Sequence, residues 1–520
     1  MAKADKANPE KTEYYSIKRL RWNTLIFTGG KGVNAVLSLL IFSLIAANLS
    51  KPDFAIYAWL LAFIELSTNI SRFGINWAVD RYVPELRSSL NSKALRRFIV
   101  IMTGLRALII IALALGFYAL GHQILSLGGK EDWLPAFDLY IIILIPFAIT
   151  VFFRDVVFQS LLQQAHSQAT TSLRHLIFLA ILFYFLSQPE GLTLFQVIYC
   201  DIAATCAAAV VALCQTVFLL GQLPYGTPPT SPVTLTWRAV VKFAANSYAN
   251  EVLRMSGSGY AVMSAAPQLL ATAALAPYGF CQTLFTQLNR FLPAHLFSGL
   301  YRPRLVSQYT KTGDFAALNR QVNLILKVSN YILAMCIAVF FVYGDTILGL
   351  VSSGKYTDAH GLMMLFWVLM LLDNQRQAFL ALANTIERVD FLRRASLLMP
   401  LVIPLAIALV FAGLGTYGLA LALILPEIAG LGLIIYQIRR AGYDFTFDIQ
   451  GQARIVAVML IAILIGLALR HYLPDGLLWA VAGAALIGLA FVLCARLLRP
   501  MSEADRASIE RLVGRKVYLL

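Results

Sequence analysis

The densest set of side chains able to hold an ion or an anionic ligand runs from Asn246 to Tyr260. It comprises Asn246, Tyr248, Asn250, Glu251 and Arg254, followed by Ser256-Gly257-Ser258-Gly259-Tyr260. Asn250, Glu251 and Arg254 are spaced i, i+1, i+4, which puts them on one face of a helix. The competing explanation is a Glu251–Arg254 pair that neutralises itself. Smaller sets of the same kind recur. Glu65 precedes Arg72 by seven residues, a spacing that keeps both on one helical face, with Thr68 and Asn69 between them. Arg154 adjoins Asp155, and Asp373 stands three residues before Arg376. Lys31 sits beside Gly29, Gly30 and Gly32, and Arg290 follows Asn289. Arginine's planar fork makes paired, charge-assisted bonds to phosphate. Asn, Gln, Tyr and Ser suit hydroxyl groups, and aromatic faces suit sugar rings. Glu65, Glu251, Asp373 and Asp155 are the groups able to take up a proton or Na+, or to pair with a neighbouring base. Asp201 and Glu427 are weaker candidates.

These groups lie inside apolar segments. The 520 residues are 59% hydrophobic and 13% charged, against about 25% charged in soluble chains. The apolar blocks are about twenty residues long, enough to cross a hydrocarbon core. The chain reads as an all-α polytopic membrane protein of about fourteen helices. Spans fall near 24–48, 54–78, 98–120, 135–162, 171–187, 193–222, 237–263, 270–296, 321–343, 359–384, 392–412, 416–438, 453–470 and 475–495. The six cysteines all lie in apolar blocks and none has CxxC spacing, so they read as core thiols, not as a disulfide framework or metal site. The Gly29-Gly30-Lys31-Gly32 run follows no strand and is no nucleotide loop. No cleavable signal peptide, metal or organic cofactor is expected.

The net charge of +15 reads as membrane topology, not as a nucleic-acid signal. Of 42 Lys and Arg, 30 fall on segments assigned to the side of the two termini, Arg174 among them, and four on the opposite loops. The positive-inside rule then places both termini in the cytoplasm of a bacterial inner membrane. The other eight lie within spans: Lys31, Arg72, Arg106, Arg154, Arg254, Arg290, Lys327 and Arg376. A charge at the bilayer centre costs about 2.5–3.5 kcal/mol on insertion scales, so retained charges face a cavity or one another. Snorkelling to the membrane surface competes for Lys31 and Arg290. Arg106 and Lys327 stand alone on apolar stretches and read as structural.

Two halves echo each other. Arg72-Phe73 matches Arg290-Phe291 at an offset of 218 residues, and Leu161–Arg174 matches Ala381–Arg394 at 220. The second register sets Arg154-Asp155 against the Asp373–Arg376 cluster. Both pairs run in the same direction, as in a parallel repeat of six helices about an axis along the membrane normal. The expected organisation is a cytoplasmic segment 1–23, a first lobe 24–222, an inter-lobe loop 223–236, a second lobe 237–438, two further helices within 439–495 and a cytoplasmic tail 496–520.

Five stretches carry a resemblance: Lys51-Pro52-Asp53-Phe54-Ala55-Ile56-Tyr57; Arg72-Phe73-Gly74 with Arg81-Tyr82-Val83-Pro84-Glu85; Arg290 to Arg304 with Lys311-Thr312-Gly313-Asp314; Leu348 to Tyr356; and Leu382 to Arg388. Ala55 and Glu387 stand where glycine is usual. In order and spacing these resemble the polysaccharide exporters and O-antigen flippases of the multidrug/oligosaccharidyl-lipid/polysaccharide superfamily. The resemblance implies alternating access, with a cavity between two helical lobes carrying a lipid-linked oligosaccharide from the inner to the outer leaflet. Membrane lipids, a polysaccharide polymerase and export machinery are the implied partners. The expected substrate-lining residues are Lys31, Arg72, Asn250, Arg254, Arg290 and Arg376. Glu65, Glu251, Asp373 and Asp155 are expected to serve H+ or Na+ coupling or charge pairing.

Three rival functions compete with this reading. A cation-coupled multidrug exporter normally has twelve spans and an acid-dominated cavity. A peptidoglycan lipid-intermediate flippase shares fourteen spans and a cationic cavity. A membrane glycan polymerase or glycosyltransferase needs a large outer loop or a nucleotide-sugar domain, and the outer loops here are about fifteen residues or fewer. Neutralising Arg72 or Arg254 is expected to abolish glycan export at unchanged protein level; normal export by both alanine variants refutes this assignment.

Overall fold

Hydrocarbon offers the backbone no hydrogen bonds, so a chain this apolar closes its amides within helices. The computed structural model describes residues 17–88, 92–222, 236–292, 298–474 and 476–513. The described residues form α-helices with short 3-10 and π turns and no strand. The helices are α1 (Ile17–Asn48), α2 (Lys51–Ile70), α3 (Ile75–Ser88), α4 (Ser92–Leu127), α5 (Glu131–Ser160, with a π turn at Phe153–Val157), α6 (Gln164–Leu186) and α7 (Leu194–Gly221). Next come α8 (Trp237–Ser256), α9 (Gly259–Ala265), α10 (Thr272–Asn289), α11 (Ser298–Thr312), α12 (Phe315–Ser352) and α13 (His360–Thr385). The remainder are α14 (Val389–Ser396), α15 (Val402–Leu409), α16 (Gly415–Arg440), α17 (Ile449–Tyr472), α18 (Leu477–Leu498) and α19 (Glu503–Val513). The expected N-terminal segment is described only from Ile17, and the loop 223–236 only at its last residue. Residues 293–297 and 514–520 lie outside the described residues.

Ten described segments are long and apolar enough to cross a membrane. The fold is that of an all-α polytopic membrane protein. Three other expected spans, α8, α10 and α13, fall short of that composition because they carry the polar sets built around Glu251, Asn289 and Asp373. The long segment Val389–Arg440 supplies two passages, since Gly413 (φ 89°) and Gly415 (φ 53°) interrupt it.

The chain forms two units, 1–255 with 263–272, and 256–262 with 273–520. Thus α8, read from sequence as the start of the second lobe, packs within the first unit up to Met255. The first unit's core joins Ile75, Val79 and Leu86 of α3 to Phe98 and Met102 of α4, Phe152–Phe158 of α5, Leu219 of α7 and Val240 of α8. A second aromatic group packs Trp59 against Phe63, Trp133 and Phe137, and the Trp59 indole donates to Ser264 O at 3.1 Å. In the second unit one core joins α12, α13, α14 and α16. Another joins α12 to α17 and α18 through Tyr331, Val342, Val458, Ile487 and Phe491.

The five resembling stretches are helix ends. Ser50 caps α2, accepting from Asp53 N at 3.2 Å and donating to Asp53 Oδ2 at 2.7 Å, with Pro52 in the first turn. Gly313 (φ 62°) closes α11 and Asp314 caps α12 through Ala317 N at 2.9 Å. Ser353 (φ 50°) and Gly354 (φ 85°) end α12, and Glu387 (φ 57°) lies between α13 and α14. Glu387 therefore takes the left-handed turn that glycine would take freely. Its counterpart between α5 and α6 is Leu162 (φ 53°). These two breaks lie 225 residues apart.

Gly74 (φ 73°) shows what such a turn demands, because a Cβ there would also run into the Ala244 carbonyl of α8. Gly74→Ala is expected to cost at least about 1–2 kcal/mol from the left-handed backbone alone. The detergent-solubilised protein should melt lower; an unchanged melting temperature contradicts this packing.

Candidate functional site

Helix α2 stops at Ile70, leaving its last carbonyls to be satisfied inside the protein. Ser71 N donates to Ser67 O at 3.0 Å and Arg72 N to Asn69 O at 3.2 Å. Thr68 O accepts from Arg106 Nη2 at 3.0 Å and from Ser71 Oγ at 2.8 Å. Ile70 O accepts from Tyr248 OH at 2.5 Å. A cation at this end also complements the negative pole of the helix. Arg106, expected to be alone, is 2% exposed and serves as a cap.

One face of α8 closes over this turn. Trp237 stacks on Phe98, and Phe243 meets Tyr82 edge-on beneath the Arg81 guanidinium, 4.7 Å from its ring centre. Tyr248 stacks on Phe73 at 4.8 Å. Glu251, 7% exposed, accepts from Arg72 Nη1 and from Trp77 Nε1, both at 2.9 Å. One expectation is corrected here, and one competing explanation is excluded. Arg72 does not share a helical face with Glu65, because α2 ends before it and the turn redirects it. Glu251 does not neutralise itself against Arg254; its partners are Arg72 and Trp77, and Arg254 is exposed. Asn250 is half-buried beside Glu251.

Elsewhere in this unit, Arg154 holds both oxygens of Asp155, at 2.8 and 2.6 Å, on the π turn, with Glu65 within electrostatic reach. Lys31 is half-buried on α1, one turn before Asn34, which bonds Gln168 and Ser172 of α6. A further network was not anticipated. Asp201, 1% exposed, accepts from Arg174 Nη2 at 2.6 Å and Tyr140 OH at 2.5 Å, while Arg174 Nε donates to Thr205 at 2.9 Å. Arg174, counted from sequence with the bases on the side of the termini, is the ion-pair partner of a buried acid. The sequence reading begins the fifth span at 171, whereas α6 begins at Gln164, about two turns earlier.

In the second unit Arg376 bonds Asp373, and its Nε lies 2.7 Å from Glu427 Oε1. Asn289 Nδ2 donates to Asp373 Oδ2 at 2.8 Å. The expected Asp373–Arg376 pair is present and gains Glu427, the weaker sequence candidate. Arg290 is exposed in the turn after α10 and has no part in this cluster's bonds. Lys327, also expected alone, bonds Asp448 at 2.6 Å and Asp505 of α19. Burial disfavours the Asp448 carboxylate, but Lys327 and Gly451 N–H hold its pKa below the ordinary value. Among the described residues no three His, Cys, Asp or Glu are grouped to hold a metal. All six cysteines are free, with Cys200 and Cys281 buried and Cys214 exposed.

Residues 20–258 match the family model described as polysaccharide biosynthesis protein. Over that stretch the chain is similar to this family. No curated protein matches the sequence. Among solved structures, the lipid II flippase MurJ in an inward closed conformation is 14% identical; the match covers 94% of this chain and all of that one, with a TM-score of 0.68. An inward-facing multidrug-resistance MATE transporter of the MOP superfamily is 11% identical over 81% of this chain and 100% of that one, at 0.62. A point mutant of the Vibrio cholerae MATE transporter VcmN is 13% identical over 83% and 99%, at 0.54. The chain therefore has the fold of MOP-superfamily membrane transporters.

In this transporter fold the charged sets divide by chemistry. Around α2 and α8, two guanidiniums present more donors than the Glu251 carboxylate takes up. Around α13 and α16, two carboxylates face one guanidinium. The Asp201 network joins α5, α6 and α7 and is paired on every side. Removing one member of a buried ion pair costs about 3–5 kcal/mol. Asp201→Asn is expected to lose stability of that order in thermal unfolding, partly recovered by Arg174→Leu in the same chain. Unaltered melting of Asp201→Asn contradicts the network.

Proposed function

We propose that the protein is a flippase that moves a polyprenyl-pyrophosphate-linked oligosaccharide from the cytoplasmic to the outer leaflet of a bacterial inner membrane for surface polysaccharide synthesis. The observation that carries this reading is the family match over 20–258 on a chain of MOP-transporter fold. The buried bases support it. Arg72 and Arg106 supply guanidinium donors for a phosphoryl group, and Asn250, Tyr248 and Asn246 supply partners for sugar hydroxyls. Lys31, Arg254 and Arg290, exposed or half-buried, add positive charge along the route. The base distribution favours termini in the cytoplasm. Glu65 with Arg154-Asp155, and Asp373 with Glu427, are the groups proposed to take up a coupling H+ or Na+ and bias the transport cycle. The function is transport, not bond making, with a polymerase and export machinery acting downstream.

A second reading is transport of a peptidoglycan lipid intermediate, favoured by the 94% coverage of the lipid II flippase match. Reconstitution separates them. In proteoliposomes the purified protein is expected to translocate a polyprenyl-pyrophosphate oligosaccharide, with Glu65→Gln slowing the rate at least about tenfold. Translocation of a peptidoglycan precursor alone establishes the second reading. Movement of neither refutes both, and undiminished flipping after collapse of the proton and sodium gradients removes ion coupling.

A further inference from the structure

Two guanidiniums, those of Arg72 and Arg106, meet at the end of α2. Arg72 and Glu251 both lie within electrostatic reach of Arg106, and Asp80, which accepts from Ser160, within reach of Arg72. Of these two carboxylates, Glu251 is the one that bonds a guanidinium. The donors exceed what that carboxylate uses. Arg72 spends Nη1 on Glu251, and its Nε has no protein partner. Arg106 spends Nη2 on Thr68 O, and its Nε and Nη1 have none, although the residue is 2% exposed. Trp77 Nε1 completes the ring of donors on Glu251. Burying unpaired N–H groups of a cation is costly. A planar monoanion with two oxygens is a poor complement for so many donors. A tetrahedral phosphoryl group, with more oxygens and more charge, fits them better.

Glu251 is placed to leave. It lies near the end of α8, five residues before Ser256-Gly257-Ser258, where the helix breaks ahead of α9. Apart from its aromatic and Gly74 contacts, α8 is tied to the α2–α3 turn by the Glu251 carboxylate and the Tyr248 hydroxyl.

We propose that Glu251 is an internal stand-in for a phosphoryl anion, occupying a site formed by Arg72, Arg106 and Trp77 from which a phosphate ester displaces it. Resting on the flippase reading above, this assigns the site to the pyrophosphate of the lipid carrier. It also links substrate binding to release of α8 from the α2–α3 turn. An ordinary structural ion pair predicts no such competition.

The test uses the purified full-length protein with inorganic pyrophosphate as probe, binding being read by calorimetry and by thermal shift. Glu251→Gln keeps the shape of the side chain and removes the competing charge. It is expected to bind pyrophosphate at least about tenfold tighter than the wild type, with the gain lost when Arg106→Gln is added. Trp77→Phe, which loosens Glu251 without altering charge, is expected to shift affinity in the same direction by a smaller factor and serves if Glu251→Gln does not fold. The proposal is overturned if neither variant gains affinity, if the gain survives Arg106→Gln, or if chloride at equal ionic strength stabilises the variant as well as pyrophosphate. Lipid-linked sugar transport is measured separately on the wild type. Transport without the pyrophosphate gain refutes this site alone. The gain without transport refutes the flippase reading and leaves a phosphoryl-anion site.

Discussion

A helix that ends in the interior of a protein leaves carbonyl groups that must be bonded there, and the first unit is organised around one such end. The four carbonyls from Ser67 to Ile70 are met by Ser71, Arg106, Arg72 and Tyr248. Three of these partners fix other elements. Arg106 ties α4 to the end of α2, Tyr248 brings α8 over the turn, and Arg72 is turned toward Glu251. Phe73 and Gly74 carry the left-handed turn that makes this direction possible, and α8 lies so close to Gly74 that its backbone leaves no space for a side chain. The polar end of α2 thus accounts for the location of α8 in the first unit.

The same constraint governs the other charges. Among the described residues, Arg174, Arg154, Arg376 and Lys327 each pair with an acid from their own unit. Some of these sets are closed structural joints. Asp201 is met from both oxygens, and Lys327 fastens α19 and the α16–α17 connection to α12. Others are left unbalanced. Around Arg72 and Arg106 there are more guanidinium donors than Glu251 takes up; around Arg376 there is more acid than base. A surplus held in low dielectric gives an ion or a charged ligand something to neutralise, which is where binding free energy in a membrane transporter is available.

Much of this was legible in the sequence because it is local. The stretches that resemble a family are caps and turns: Ser50 to Asp53, Phe73-Gly74, Gly313-Asp314, Ser353-Gly354 and Ile386 to Arg388. Each answers a backbone requirement within a few residues, so its residue types are predictable and its spacing persists. The break at Ser256 to Gly259 follows in the same way from its glycines. The Asp373–Arg376 pair was readable from helical spacing. The partnership of Arg72 with Glu251, 179 positions apart, was not. Nor were the partners of Arg106 and Lys327, which looked isolated because every group that meets them comes from another element.

Apolar length, helix-end chemistry and the distribution of bases determined, from sequence alone, that the chain is an all-α membrane protein and roughly where each helix starts and stops. Those are properties of one segment against its solvent, and a segment's own residues suffice to state them. Tertiary structure alone decided the pairings between elements, such as Arg72 with Glu251 and Lys327 with Asp448. A charge in low dielectric takes the partner nearest in space, and packing sets that distance with little regard for separation along the chain. The part of the densest polar stretch that lies on α8 up to Met255 therefore proved to belong to a helix docked on the end of another, with Glu251 held by an arginine from the turn after α2.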